Sequence, residues 1–243
     1  MSRVLLPLPQ VDFDPTEVAV PWRVLTAAGV QVVFATPQGG AAATCDPLVL
    51  VGPVLGKLGA RPENVALCHE LEQDPAFRAP LSYERVDPAD FDGLVLPGGH
   101  APGMKPYLES VALQEHVRSF WATRKPVGAI CHGTIVLART RNGSGESVVA
   151  GRRMTCLPRW MELSAWALSA WKLGRYYRTY DQTVQAEVQD ALSPTGRLMV
   201  GPLSNRYDRP FVVRDELLVT ARWPGDAQAF AEGYLGVLRE PRA

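Results

Sequence analysis

The sequence has no excess of charge, few cysteines and no long hydrophobic run. Its 243 residues include 25 basic and 25 acidic residues, so nothing marks a surface for nucleic acid or membrane. No apolar stretch approaches the roughly 18 residues of a membrane span, and the N-terminus lacks the layout of a signal peptide. We therefore expect a cytoplasmic protein that binds neither nucleic acid nor membrane.

The scarcity of cysteine excludes a disulfide-rich fold. The four cysteines are Cys45, Cys68, Cys131 and Cys156. None belongs to a CxxC pair or to a Cys/His spacing typical of zinc. The spacing of His69, His100 and His116 fits no ligand pattern either, which favours solvated or structural histidines. We predict reduced thiols and no metal site.

The chain opens with a strand–helix–strand pattern that is typical of a parallel sheet. Ser2–Leu8 and Gln31–Thr36 are apolar strands, and the intervening residues 16–28 have helical spacing. Pro21 predicts either a kink in that helix or a start near Val20. Further strands are expected at 90–96 and 126–130, and a hairpin and a last helix at the C-terminus.

Residues 41–81 are less regular, with several glycines and prolines and one helix expected near 64–71. We interpret this segment as an insertion that covers the sheet. No repeat or linker divides the chain, so one domain over residues 1–243 is the simplest prediction.

A short apolar run ends abruptly at Cys131. The tripeptide Cys131-His132-Gly133 follows residues 127–130, and a helical pattern begins directly after it. This layout predicts a buried strand, a tight turn and a helix, with the thiol at the helix N-terminus, where negative charge is favoured. We interpret Cys131 as a nucleophile of lowered pKa, the alternative being a buried core cysteine.

Two further segments end at the same sheet edge if the strands are parallel. They are the loop that leads to Glu17 and the turn Pro97–His100, whose two glycines could expose N–H groups to an oxyanion. Ligands bind at such edges in open α/β sheets. Taken singly, Glu17 could be an ordinary first-turn residue, and His132 either a base or a helix cap.

The motifs around the Pro97–His100 turn and the Cys131 elbow carry a resemblance to a known family. Leu94-Val-Leu-Pro-Gly-Gly-His100 is followed by Val127-Gly-Ala-Ile-Cys-His-Gly133, and Asp14-Pro-Thr-Glu17 and the segment 25–37 match as well. Together they resemble the ThiJ/PfpI superfamily, which has a class I glutamine-amidotransferase-like fold. The chain length and the segment 41–81 resemble its larger chaperone/glyoxalase branch.

The resemblance implies a flavodoxin-like three-layer α/β sandwich with a mostly parallel central sheet and a nucleophile elbow. It implies that Cys131, His132 and Glu17 are catalytic, with Glu17 hydrogen-bonded to the thiol, and that the amides of Gly99 and His132 form the oxyanion hole. A carboxyl beside a thiolate should have a raised pKa, because adjacent charges repel. A homodimer and a small-molecule substrate, with no cofactor, are also implied.

The sequence departs from the family at the third member of a catalytic triad. Arg159 stands where the chaperone/glyoxalase branch would have an acid. Glu162 is the nearest carboxylate, and it is either the third acid or a residue of the helix surface. Other branches take this acid from a neighbouring subunit.

These residues favour a cofactor-independent enzyme that acts on small reactive carbonyls, as family glyoxalases do. One alternative is an amidase or peptidase, which requires an acid to orient His132. Another is a non-enzymatic redox sensor or holdase chaperone. A glutamine amidotransferase is disfavoured because no histidine follows His132. We expect the aromatic residues between 160 and 180 in the core rather than at a pocket mouth.

Overall fold

A seven-stranded sheet forms the centre of the protein. The structure is a computed structural model that describes residues 1–52, 54, 58–204 and 206–241. In chain order the strands are β1 (Arg3–Pro7), β2 (Val11–Phe13), β3 (Gln31–Thr36), β4 (Thr44–Cys45), β5 (Leu81–Ser82), β6 (Gly93–Leu96), β7 (Val127–Ile130), β8 (Arg153–Met154), β9 (Arg197–Leu198), β10 (Val212–Asp215) and β11 (Leu218–Ala221). The central order is β10-β11-β7-β6-β1-β3-β5, parallel apart from the hairpin β10–β11. Two small parallel sheets pair β2 with β4 and β8 with β9.

Helices flank this sheet. In chain order they are α1 (Pro15–Ala27), α2 (Pro47–Val51), α3 (Pro62–Leu71), α4 (Pro75–Arg78), α5 (Lys105–Leu108), α6 (Val111–Ala122), α7 (Gly133–Arg139), α8 (Arg159–Leu173), α9 (Val184–Ala191) and α10 (Ala227–Arg239). α1 packs with α3 and α10, and α10 lies on β7 and β11. α6 and α7 pack together against β6 and β7. The expected flavodoxin-like α/β sandwich is confirmed.

The inner strands are buried on both faces, as is typical of parallel strands between two helix layers. Every residue of β6 and β7 is buried. Glycine lets α10 approach the sheet closely. A Cβ at Gly93 would lie 2.1 Å from the Tyr234 hydroxyl oxygen, and one at Gly128 would lie 2.9 Å from the rings of Phe230 and Tyr234. Among the residues that the structure describes, no helix has the length and apolarity needed to span a membrane.

The strand order reverses at β1, which lies between β3 and β6. Leu5 of β1 is in register with Leu94 of β6, which is in register with Val127 of β7. The loops that follow these three strands therefore emerge side by side. This is the position where open α/β sheets bind ligands.

The predicted elements are present with small shifts of their ends, but the late helix start near Val20 is wrong. α1 begins at Pro15 and continues through Pro21. Asp14 explains the early start, because its side chain accepts the N–H groups of the first turn as an N-cap.

The segment 41–81 contains β4, α2, α3 and α4, and α3 packs on α1. The helix expected near 64–71 is α3. The sequence did not predict α9, whose buried residues are only Val184 and Val188, because two apolar positions make too weak a periodic signal. The assignment of the chain to one domain stays a prediction.

Candidate active site

The thiol of Cys131 lies in a sharp turn between β7 and α7. Cys131 has a φ of 53°, in the left-handed region that is uncommon for residues other than glycine. A Cβ at Gly133 would lie 2.2 Å from the carbonyl oxygen of Leu96, so only glycine fits directly after the turn. This strand, strained turn and helix form the predicted nucleophile elbow.

The carboxyl group of Glu17 is held beside the elbow. Its Oε2 accepts a hydrogen bond of 2.8 Å from the N–H of Gly98, and its Oε1 is buried without a partner among the described residues. A Cβ at Gly98 would lie 2.8 Å from this Oε2 and 2.7 Å from the backbone nitrogen of His132. A glycine at this position therefore allows the three loops to meet.

Burial raises the pKa of Glu17 well above its usual value. The Asp14 carboxyl adds to this rise, and hydrogen bonds from the Gly98 N–H and with the Cys131 thiol oppose it. Asp14 accepts the N–H groups of Thr16 and Glu17, and burial raises its own pKa to about 7. The rise expected for Glu17 is therefore present, but its main cause is desolvation rather than repulsion by a thiolate.

The pKa of Cys131 is also raised, whereas its place at a helix N-terminus predicted a lowered value. Burial is the largest cause, the Glu17 and Asp14 carboxyls add to it, and the His132 N–H opposes it. The field of a helix terminus is worth only about 0.3–1 kcal/mol, less than the cost of burying an unpaired charge. The resting group is thus a thiol, whose proton has to leave during any reaction.

The imidazole of His132 is placed to take that proton. Its Nδ1 lies 3.5 Å from the Cys131 sulfur, and its Nε2 lies 3.3 Å from the Thr179 hydroxyl. Thr179 donates its single hydrogen to the carbonyl oxygen of His100 at 2.6 Å, so its oxygen accepts from His132 Nε2–H. Nδ1 is therefore unprotonated and faces the thiol. Burial is the main cause that lowers the pKa of His132, which keeps the ring neutral.

A second imidazole, that of His100, also lies beside the thiol. Its Nε2 is 3.8 Å from the Cys131 sulfur, and its ring meets that of His132 edge-on with centroids 4.7 Å apart. Burial lowers the pKa of His100 to about 4. The sequence placed the turn Pro97–His100 at the same sheet edge as Cys131 but assigned no role to the His100 side chain, whose contact with the thiol depends on the pairing of β6 with β7.

The hydrogen-bond partners of the Glu162 carboxylate are Arg178 and Val184, and His132 is not among them. Its Oε1 accepts from Arg178 Nη1 at 3.1 Å, and its Oε2 accepts from the Val184 N–H at 2.9 Å. The side chains of Glu162 and Arg178 are only 2% and 10% exposed. Glu162 is thus buried, unlike a helix surface residue, and it joins α8 to the start of α9. Among the described contacts, the Nε2 of His132 meets a threonine where a triad would have an acid.

Thr179 was not predicted from the sequence, since it lies 47 positions after His132. It lies in an irregular stretch after α8, and a lone threonine carries no recognisable signal. The other histidines lie apart from the elbow: His69 pairs with Glu72, and His116 Nε2 meets the carbonyl of Tyr83 at 2.7 Å.

A cavity of about 340 Å³ adjoins His100. Its lining is mostly apolar and aromatic, and it includes Trp160 and Tyr177, which the sequence favoured as core residues. The N–H groups of Trp160 and Trp223 and the hydroxyl of Tyr177 are buried there without partners among the described residues. The described lining contains no lysine or arginine. These features suit a neutral ligand with an apolar body and acceptor atoms.

Among the residues that the structure describes, two clusters have side chains close enough to hold a metal ion. One is His100, Cys131 and His132, and the other is Cys45, Cys68 and Glu72; in each, the ligand atoms lie within 4.8 Å of one another. The sequence predicted no metal site because neither cluster has the local spacing of a known ligand motif. Cys45 reaches its partners only through the fold.

The sequence matches a family model described as ThiJ/PfpI family-like over residues 8–202. Among curated proteins, protein/nucleic acid deglycase 2 of Escherichia coli is 26% identical over 239 residues, which cover 98% of this chain and 99% of that protein. A deglycase of Pyrococcus horikoshii is 36% identical over 87 residues, 34% of this chain and 45% of that protein. Protein DJ-1 homolog D of Arabidopsis thaliana is 30% identical over 149 residues, which cover 61% of this chain and 35% of that protein.

The fold also resembles solved structures. Glyoxalase III from Candida albicans superposes with a TM-score of 0.73 and 19% identity over 97% of both chains. Drosophila melanogaster DJ-1beta gives a TM-score of 0.60 and 21% identity over 99% of this chain and 92% of that one. At these identities the likeness shows the fold alone.

Proposed function

Because the chain belongs to the ThiJ/PfpI family, we propose that it is a cysteine-dependent, cofactor-independent enzyme acting on small reactive carbonyls. The proposed reaction combines a 2-oxoaldehyde with water to give a 2-hydroxy acid, without glutathione. The observation that carries the proposal is the unprotonated Nδ1 of His132 at 3.5 Å from the Cys131 sulfur, beside the Glu17 carboxyl. The relatives named as deglycases support the same class of substrate.

In the first step the Cys131 sulfur attacks the aldehyde carbon. As the S–C bond forms, the thiol proton passes to His132 Nδ1 and the carbonyl electrons move to oxygen, giving a hemithioacetal oxyanion. The Gly98 N–H is occupied by Glu17, so the oxyanion takes the N–H groups of Gly99 and His132.

In the second step a proton moves between the two carbons of the substrate. The oxyanion first takes the proton held by His132 Nδ1, which frees that nitrogen to remove the proton from C1 while Glu17 donates its proton to the C2 oxygen, so that an enediol forms. His132 then returns its proton to C2, and the C1 hydroxyl gives its proton back to Glu17. The product is a thioester of a 2-hydroxy acid, and water hydrolyses it to free the thiol. The raised pKa of Glu17 suits a group that donates a proton in one half of this step and recovers it in the other.

The cavity restricts which aldehydes reach the thiol. Its described lining offers donors from Trp160, Tyr177 and Trp223 but no cationic side chain, so neutral aldehydes are favoured over phosphorylated ones. His100 lines the cavity and also lies at the Cys131 sulfur, so an entering substrate meets its ring first.

Amide or peptide hydrolysis has less support, because it requires an acid on His132 and the described partner of Nε2 is Thr179. Redox sensing has less support as well, because the raised pKa of Cys131 lowers the fraction of reactive thiolate. The holdase chaperone stays an untested alternative. The homodimer and the cytoplasmic location stay predictions.

The test is to incubate purified protein with methylglyoxal, without glutathione, and to assay D- and L-lactate. We expect turnover by the wild type and a loss of at least about 10³-fold in Cys131→Ala, as for removal of a covalent nucleophile. Cys156→Ala, which alters a buried cysteine outside the elbow, is the matched control. Equal turnover by wild type and Cys131→Ala would refute the proposal.

A further inference from the structure

Two cysteines of the segment 41–81 lie against each other. Cys45 ends β4, Cys68 lies in α3, and both are buried and reduced. The hydrogen bond from the Cys68 thiol to the Cys45 sulfur lowers the pKa of Cys45 and raises that of Cys68. The thiolate is the form of cysteine that binds metals.

The carboxyl group of Glu72 completes this cluster. Cys68 and Glu72 are four residues apart at the end of α3, so they share one face of the helix. The two sulfur atoms and a Glu72 oxygen all lie within 4.8 Å of one another. The Glu72 side chain is 43% exposed, which leaves a path from solvent to the buried thiols.

We propose that Cys45, Cys68 and Glu72 form a binding site for a borderline-soft divalent cation such as Zn²⁺. Thiolate sulfur and carboxylate oxygen are zinc ligands, at bond lengths of about 2.3 Å and 2.1 Å in tetrahedral sites. Neighbouring ligands in such a tetrahedron are about 3.8 Å apart, so each pair closes by at most about 1 Å. Both thiol protons leave to solvent on binding, and water takes the fourth position.

His69 supports the ligand geometry. Its Nδ1 lies 3.1 Å from Glu72 Oε2, so the ring orients the carboxylate from the solvent side. Imidazole and carboxylate groups that orient metal ligands in this way affect metal affinity by about 10–100-fold.

A bound ion would fasten β4 to α3. β4 leads directly through the N-cap Asp46 into α2, and Val49 of α2 lines the cavity beside His100. The ion would therefore fix one wall of that cavity. This site depends on no step of the proposed carbonyl reaction.

The test is a titration of reduced, metal-free protein with Cd²⁺, which reports bound thiolates through sulfur-to-metal charge-transfer absorption. Cys131→Ala serves as the parent protein, because Cys131 belongs to the other metal-capable cluster. We expect one Cd²⁺ per chain, displaced by Zn²⁺. Adding Cys45→Ala or Cys68→Ala should weaken binding more than about 100-fold, and adding His69→Ala about 10–100-fold.

Cys156→Ala, added to the same parent, is the control and should bind as the parent does. Glu72→Gln acts at a half-exposed position, so it tests the site even where a change at the buried Cys68 lowers stability. Unchanged binding in Cys45→Ala or in Glu72→Gln would overturn the proposal. So would the absence of charge-transfer absorption in protein whose thiols titrate as free.

Discussion

Glu17 beside the elbow and Glu162 in α8 are both buried carboxyl groups, but their surroundings differ. Glu162 accepts from the guanidinium of Arg178 and from the backbone N–H of Val184. Glu17 accepts one backbone N–H, has an unpartnered oxygen among the described contacts, and lies near a second acid, Asp14. Burial raises the pKa of both, but for Glu162 the amide and the cation oppose the rise.

The difference separates a carboxylate that holds the fold from a carboxyl group available for chemistry. A cation and an amide offset the desolvation cost of a buried carboxylate, and breaking these contacts strongly destabilises the fold. A buried carboxyl without a cation stays protonated and can exchange its proton with a neighbour, which is typical of active sites. The two acids should therefore respond oppositely to the same substitution.

Glu17→Gln should lower kcat for a 2-oxoaldehyde by about 10²–10⁴-fold, the usual effect of removing a general acid or base. Its unfolding free energy should hold or rise, because glutamine is neutral in both states, whereas the Glu17 carboxyl has to take up a proton on folding. Lactate assays and urea unfolding measure the two quantities, with the exposed Glu63→Gln as control. Retained turnover would remove Glu17 from the mechanism.

Glu162→Gln should lower the unfolding free energy by about 3–5 kcal/mol, because Arg178 is left buried without its carboxylate. The kcat of the folded fraction should stay at the wild-type value. The double variant Glu162→Gln/Arg178→Met, which removes both charges, should recover part of the stability. A fall in kcat without a loss of stability would make Glu162 the third catalytic acid instead.

Asp14→Asn should change the pH dependence of stability. The folded-state pKa of Asp14, about 7, exceeds its ordinary value of 3.8, so its contribution is complete below about pH 4 and is lost as the pH rises to about 7. Asparagine caps α1 equally well and does not titrate. The variant should match the wild type near pH 4 and exceed it by as much as about 4 kcal/mol above pH 7. Parallel curves in urea unfolding across this range would contradict the assignment.

Thr179→Val should lower kcat by roughly threefold to tenfold, because His132 Nε2–H loses an acceptor worth about 0.5–1.5 kcal/mol. KM should be unchanged, since Thr179 orients the base without touching substrate. Thr179→Ser keeps the hydroxyl and should restore kcat. If serine and valine give the same loss, the hydroxyl has no positioning role.

Much of the elbow could be predicted because its signals are local. The apolar strand runs into Cys131-His132-Gly133 through a strained turn. Glycine is the only residue type that fits at position 133, because a side chain there would overlap the backbone of Leu96. The place of Glu17 also followed from a short motif at a helix start. Neither signal shows how deeply a side chain is buried. The predicted lowering of the Cys131 pKa was therefore wrong.

The contacts of His100, Thr179 and Glu162 could not be predicted in this way. His100 meets the Cys131 sulfur because β6 and β7 are neighbours, and Thr179 reaches His132 from an irregular stretch. The Cys45–Cys68 contact joins a strand to a helix and has no local pattern.

The sequence by itself determined the parallel-sheet architecture, the elbow and the identity of its thiol, because these depend on hydrophobic periodicity and on steric limits of a few adjacent residues. The tertiary structure alone decided which base, which acid and which cation each buried group meets. That choice depends on distances between side chains far apart in the chain and on their desolvation, and it separates the task of Glu17 from that of Glu162.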